Sequence, residues 1–115
     1  MSSVFEVDTA GPTIAREADV LDIIGNAAWG HAAEWVALPV QRLDPSFFEL
    51  RSGLLGAVLQ KFVNYHLKVA IVGDVSGFVA SSSALRDFVY ESNRGRQVWF
   101  VTDRAELKQR LTGSR

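Results

Sequence analysis

The run Val69-Ala70-Ile71-Val72 sits inside an apolar stretch over residues 67–75 and shows no apolar–polar alternation. A strand with one wet face alternates, whereas a strand covered on both faces reads as a continuous apolar run. The chain therefore has to supply a central strand together with the elements that bury it. Strand and helix signals alternate from residue 19 onward, the order of an α/β layer with mainly parallel strands, and crossovers between such strands are right-handed. With 115 residues the chain has the length of one domain, residues 1–115. A domain of that size buries about two-thirds of the surface its unfolded form exposes.

The flanking elements follow from periodicity and punctuation. Residues 4–7 alternate and predict a short strand. Ala10-Gly11-Pro12 predicts a turn, and residues 13–17 a return strand, so an N-terminal hairpin would add an antiparallel edge. Asp19 is placed to cap a helix reaching about residue 28, with Val20, Leu21, Ile24, Ala27 and Ala28 on one face. Residues 35–40 predict a strand whose Pro39 belongs at an end, a bulge or an edge. Asp44-Pro45 opens a helical turn, and residues 47–51 form a separate short turn. From Ser52 the stripe Leu54, Leu55, Val58, Leu59, Phe62 and Val63 predicts a long helix. Ser81-Ser82-Ser83 offers caps for a helix ending near residue 93 that buries Leu85, Phe88 and Val89. Gly95 then stands where a left-handed C-terminal glycine is expected. Residues 97–101 predict the last strand. Asp103 with Glu106 resembles a capping box ahead of a helix that turns Leu107 and Leu111 inward.

Several functions are disfavoured at this level. Twelve Lys and Arg against 13 Asp and Glu leave a net charge of −1, without the dominant positive field that non-specific nucleic-acid binding needs. The absence of cysteine removes disulfides, thiol chemistry and Cys-ligated metals. No basic-then-apolar leader opens the chain and no apolar run approaches the roughly 20 residues of a spanning helix, so a cytoplasmic location is expected.

The segment Arg51-Ser52-Gly53-Leu54, the strand Val69-Ala70-Ile71-Val72-Gly73, the helix through Arg86 and Phe88, the strand at residues 98–101 and the closing helix at residues 106–111 follow one another in an order that resembles the STAS domain of anti-sigma-factor antagonists. The likeness covers about residues 35–111. In that family Asp-Ser-Ser-Gly-Leu opens the central helix, and its serine is phosphorylated to switch binding to a partner kinase. The resemblance implies the same for Ser52, although Arg51 stands where the motif has an acidic or small polar residue. A closer resemblance is to the bacterial domain-of-unknown-function 4180 family. It rests on Phe47-Phe48-Glu49-Leu50-Arg51-Ser52-Gly53-Leu54, Leu59-Gln60-Lys61-Phe62-Val63-Asn64-Tyr65, Val72-Gly73-Asp74 and Glu91-Ser92-Asn93-Arg94-Gly95. That family brings no established activity.

The candidate residues fall into three groups. Phe47, Phe48, Arg51 and Ser52 form a partner-binding or regulatory group. A phosphate at the start of a helix meets free N–H groups and the positive end of the dipole, while Ser52 can equally serve as a plain cap. One of Phe47 and Phe48 is expected to be exposed as an interface anchor, with Trp29 and Trp35 as alternatives. Asp44, Asp74 and Asp103 follow strands, where open α/β sheets gather ligands. Together they could bind a hard cation such as magnesium, and each also suits a turn. Lys61, Asn64, Glu91, Asn93 and Arg94, with His66 and Arg96 nearby, are a small basic patch, a C-terminal cap in which Arg and Asn satisfy last-turn carbonyls, or a structural clasp through a buried pair of Glu91 with an arginine. A triad from Ser52, His66 and Asp74 exists only on paper, since no nucleophile-elbow sequence is present.

These readings lead to one α/β domain, STAS-like, with a single-layer mixed, mainly parallel sheet packed by helices. The favoured function is a non-enzymatic regulatory or protein-interaction module gated by phosphorylation at Ser52. The alternative is a small-molecule or metal-binding domain, or an enzyme, using the loop around Asp74. No catalytic set, metal or cofactor is expected. The partner would be a protein, with no nucleic acid or membrane, and homo-oligomer formation stays open.

Overall fold

The computed structural model describes residues 3–113. Four strands, β1 (Val4–Glu6), β2 (Trp35–Pro39), β3 (Lys68–Val72) and β4 (Val98–Val101), form one sheet in the order β1-β2-β3-β4. All three pairings are parallel: Val4 lies opposite Trp35, Trp35 opposite Lys68, and Val69 opposite Val98. The central run of the sequence is β3, whose Val69, Ala70 and Ile71 are buried as its composition requires.

The α/β class and the parallel sheet packed by helices are as expected, but the N-terminal hairpin does not form. β1 pairs in parallel with β2, so no antiparallel edge makes the sheet mixed. Alternation at residues 4–7 indicates a strand and carries no information on the direction of its partner. The segment expected to return instead crosses toward the helical side, where Ile14 makes a single parallel bridge with Leu43 and is 1% exposed. Arg42 fastens this crossing by donating to the Pro12 and Asp8 carbonyls, both at 2.8 Å.

Each chain crossover steps one strand in the same direction, so right-handed connections place all three on one face. The first crossover combines a 3-10 turn (Glu17–Val20), α1 (Leu21–Gly25) and a π-helical turn (Asn26–Gly30), not one continuous helix. The second runs through 3-10 turns at Val40–Arg42, Pro45–Phe48 and Leu50–Ser52 into α2 (Leu54–Asn64). The third contains α3 (Ser76–Ala80), a helix beyond those expected from the sequence, and α4 (Ser83–Arg94). Ser82 caps α4 by accepting from the Leu85 N–H at 3.1 Å. The last helix, α5 (Arg104–Gly113), follows β4.

Two apolar clusters record this asymmetry. On the crossover face, Val36, Leu38, Val69, Ile71 and Phe100 meet Ile24, Leu55, Val58, Phe62 and Leu85. On the opposite face, Trp35, Ala37, Ala70, Trp99 and Val101 meet only Leu107, with Leu111 alongside. A single ten-residue helix covers the second face, so depressions remain at its margins.

Candidate functional site

Parallel strands point every carboxyl end to one edge of the sheet, where α/β folds gather their ligands. An open cleft of about 560 Å³ occupies that edge on the α5 face. Val7, Asp8, Thr9, Pro39, Gly73 and Asp103 are among its lining residues. Gly73 is essential to the shape: its φ is +141°, and a Cβ there would approach the Val40 side chain to 2.8 Å. Arg104 closes one side of the cleft through an ion pair with Glu6.

Of the three aspartates expected to form a ligand pole, only Asp103 lines this cleft. Among the described residues no three His, Asp or Glu side chains form a group that could hold a metal ion, so the three-carboxylate arrangement does not assemble. Each carboxylate is used locally. Asp44 accepts from the Ser46 N–H and Asp74 from the Ser76 N–H, both at 2.9 Å. Those backbone N–H bonds, helped by the same serines' hydroxyls, hold both carboxyls below their ordinary value of 3.8. Asp103 accepts from the Glu106 N–H at 2.8 Å while Glu106 accepts from the Thr102 N–H at 2.7 Å, a reciprocal cap on α5.

The Phe47–Ser52 segment lies at the same edge on the crossover face. Phe47 is 0% and Phe48 4% exposed, so neither is the free aromatic anchor expected there. The 3-10 turn over Pro45–Phe48 directs Phe47 into the main core, and Phe48 stacks on Phe78 at 4.4 Å between ring centres. The missing partner was α3, which carries Phe78. Arg51 remains exposed beside an open depression of about 540 Å³ that it shares with Glu49, Ser81 and Ser82. Ser52 is exposed at the mouth of α2, where its hydroxyl accepts from the Leu54 N–H at 3.2 Å. Gly53 precedes the helix with φ +76°, so this glycine takes the left-handed conformation that was expected at Gly95. Gly95 itself has φ −92°.

His66 lies just beyond the other end of α2, which separates it from Ser52 by about 16 Å of helix. A Ser52–His66 nucleophile and base therefore cannot assemble.

The group Lys61, Asn64, Glu91, Asn93 and Arg94 divides between two helices. Lys61 pairs with Glu17 at 3.2 Å, and Asn64 accepts from Gln60 at 2.9 Å. Glu91 and Arg94 form an exposed pair at 3.6 Å, not the buried one considered from sequence. Asn93 is the structural clasp: its Oδ1 accepts from the Phe100 N–H at 2.7 Å, and its carbonyl accepts from Arg110 at 2.8 Å. It thus ties α4 to β4 and α5.

The most exposed large aromatic is Trp29, at 75%. It stands edge-on to Tyr65, itself 41% exposed, with ring centres 6.1 Å apart. Trp29 was one of two alternative anchors in the sequence. The other, Trp35, is 3% exposed and packs against Trp99 with the rings tilted by 33°. The sequence does not pair Tyr65 with Trp29, because their proximity depends on the first crossover ending beside the C-terminus of α2.

Among the described residues no helix is long and apolar enough to cross a membrane. No curated protein and no solved structure matches the chain. Residues 1–111 match the family described as "Domain of unknown function (DUF4180)". That match covers nearly the whole sequence, including every strand and most of α5, and the chain belongs to the DUF4180 family.

Proposed function

We propose that this domain is a non-enzymatic protein-interaction module and that its anchor is the Trp29–Tyr65 pair. The observation that carries this reading is a tryptophan left 75% in water and steadied against a second exposed aromatic. Large aromatics concentrate at the cores of protein interfaces and supply much of their binding energy. Their rings bury wide apolar area while few rotatable bonds are lost. Phosphorylation at Ser52 remains a proposed gate, supported by the exposure of its hydroxyl at the start of an 11-residue helix and by the STAS-like order of elements. Anchor and gate lie at opposite ends of α2, so a partner would contact both only by spanning that helix.

The test is capture of partners from the native host with wild type, Trp29→Ala and Ser52→Glu in parallel. A partner held by wild type and lost by Trp29→Ala is the expected result. Loss by Ser52→Glu alone would move the interface to the Arg51–Ser52 edge. Equal retention by all three proteins would sink both sites.

A second reading has its own observation, the 560 Å³ cleft at the carboxyl ends of the strands. Its size and place suit a small metabolite, and Gly73 and Asp103 would lie against it. A ligand screen by thermal shift, repeated with Asp103→Asn, checks this alternative.

A further inference from the structure

The amino edge of the sheet on the α5 face holds an open cavity of about 400 Å³. Its floor is the Trp35–Trp99 pair, with ring centres 4.3 Å apart. Arg110 lies over the Trp99 ring at 4.0 Å, and Lys68 over the Trp35 ring at 5.9 Å. Among the described residues Arg94 and Arg96 complete the cationic lining, and Glu34 is its one carboxylate. Four cations and one acid thus line it among the described residues, Arg94 being paired at 3.6 Å with Glu91, which is not part of the lining, in a chain whose net charge is −1.

How these cations are held matters more than their number. Arg110 is half-buried, and both its hydrogen bonds go to Asn93, to the carbonyl at 2.8 Å and to Oδ1 at 3.4 Å. The ring below and the asparagine beside it fix the guanidinium without neutralising it. Among the described residues no carboxylate lies within ion-pair distance of Arg110 or of Arg96. Lys68 is partly neutralised by Glu34 at 3.1 Å. A half-buried cation without a counter-charge is costly, and one that is also fixed in place is preorganised to receive an anion. Guanidinium forks match oxyanions in bidentate geometry.

We infer that this cavity binds a small multivalent oxyanion, a phosphoryl-bearing or polycarboxylate molecule, between Arg110, Arg96 and Lys68. The indole floor is buried, with Trp35 3% and Trp99 6% exposed, so the ligand is recognised by its charge and not by stacking. The site is distinct from the Trp29–Tyr65 pair and from the carboxyl-edge cleft, and it does not depend on either.

The experiment titrates the full chain with inorganic pyrophosphate and, separately, with citrate. Binding is read by calorimetry and by the indole N–H resonances of the three tryptophans. The expected result is saturable one-to-one binding that moves the Trp99 indole signal, whose N–H donates to the Gly95 carbonyl at 2.9 Å, and leaves Trp29 still. Arg96→Ala should weaken it about tenfold, the loss of one hydrogen bond to a charged group. Arg96 is exposed, and among the described residues its side chain makes no hydrogen bond or ion pair, so its removal leaves the fold intact. Arg110→Gln should weaken binding as much or more, and Arg51→Ala, a cation at the other edge, should not change it. Preference for pyrophosphate identifies phosphoryl ligands, and preference for citrate identifies polycarboxylates. No saturable binding of either probe overturns the inference. So does equal weakening by Arg51→Ala, which would show charge attraction without a site.

Discussion

The two faces of the sheet are built to different standards. The crossover face packs three chain segments into a cluster that includes Phe47, Val58, Phe62 and Leu85, each 0% exposed. The α5 face meets one helix, which buries little beyond Leu107. Equal strands and equal backbone bonding serve both. The difference arises from topology, because three same-direction crossovers leave the second face to whatever follows β4. It teaches where hollows form beside the sheet. The thick face supplies stability and presents the exposed Trp29–Tyr65 pair and Ser52 on its own elements, whereas the thin face carries the carboxyl-edge cleft, the amino-edge cationic cavity and a third groove between β1 and α5.

The comparison is broken most directly by deleting one large side chain from each face. Phe62→Ala should cost about 3–5 kcal/mol, the range for a fully enclosed aromatic whose site cannot collapse. That is a large share of the stability of a domain this size. Leu107→Ala should cost about 2 kcal/mol, the low end for a buried leucine, because open grooves let the helix settle. Urea denaturation of both variants measures the difference. Equal losses would mean that α5 carries as much of the core as the three crossovers.

That asymmetry was only half legible in the sequence. The continuous run at β3 and the stripe from Leu54 to Phe62 marked the central strand and its helix, because burial on a regular element imposes a period. The first crossover was not legible as built, since Glu17–Gly30 changes helical type twice and breaks the 3.6-residue repeat. Five-residue α3 is too short to show a period at all. Its absence from the reading left Phe48 without a partner and made an exposed anchor of a buried ring. The aspartates were placed correctly after strands, but turn-forming and ligand-binding aspartates look alike until their N–H donors are seen. The cationic cavity was read only in part: the expected basic patch held Arg94 and Arg96, which line it, but joined them to Lys61 and His66 and not to Lys68 and Arg110. Lys68, Arg96 and Arg110 lie on β3, the α4–β4 turn and α5, and only the parallel register brings them together.

The two edges of the thin face can be sharpened with a pair of glycines. At the carboxyl edge, Gly73→Ala forces a Cβ to 2.8 Å from Val40 at φ +141°. It should cost about 1–3 kcal/mol from strain and overpacking. At the amino edge, Gly95→Ala meets only the Ser92 carbonyl at 3.6 Å, an ordinary contact with φ at −92°. It should be close to neutral. Thermal melts of both variants decide the matter. A loss at Gly95 equal to that at Gly73 would mean that the amino edge is as tightly specified as the cleft it is contrasted with.

The smallest effect concerns how the edges use charge. Asp74 and Asp44 are satisfied by backbone N–H groups, whereas among the described residues Arg110 and Arg96 at the far edge have no carboxylate within ion-pair distance. Those N–H bonds lower the aspartates' folded pKa below the ordinary 3.8. A group whose folded pKa is depressed adds stability that is present above its unfolded value and lost as the pH falls through the lower, folded value. Wild type should therefore lose stability as the pH drops below about 4, with Asp74 and Asp44 contributing to the loss. Asp74→Asn keeps an acceptor for the Ser76 N–H but has no proton to take up. It should be slightly less stable than wild type at pH 7, and that gap should close toward pH 3. Urea midpoints of the two proteins across this range provide the measurement. A gap of constant size would show that the turn draws nothing from the carboxylate charge, and the contrast between a satisfied acidic edge and an unsatisfied basic one would lose its acidic half.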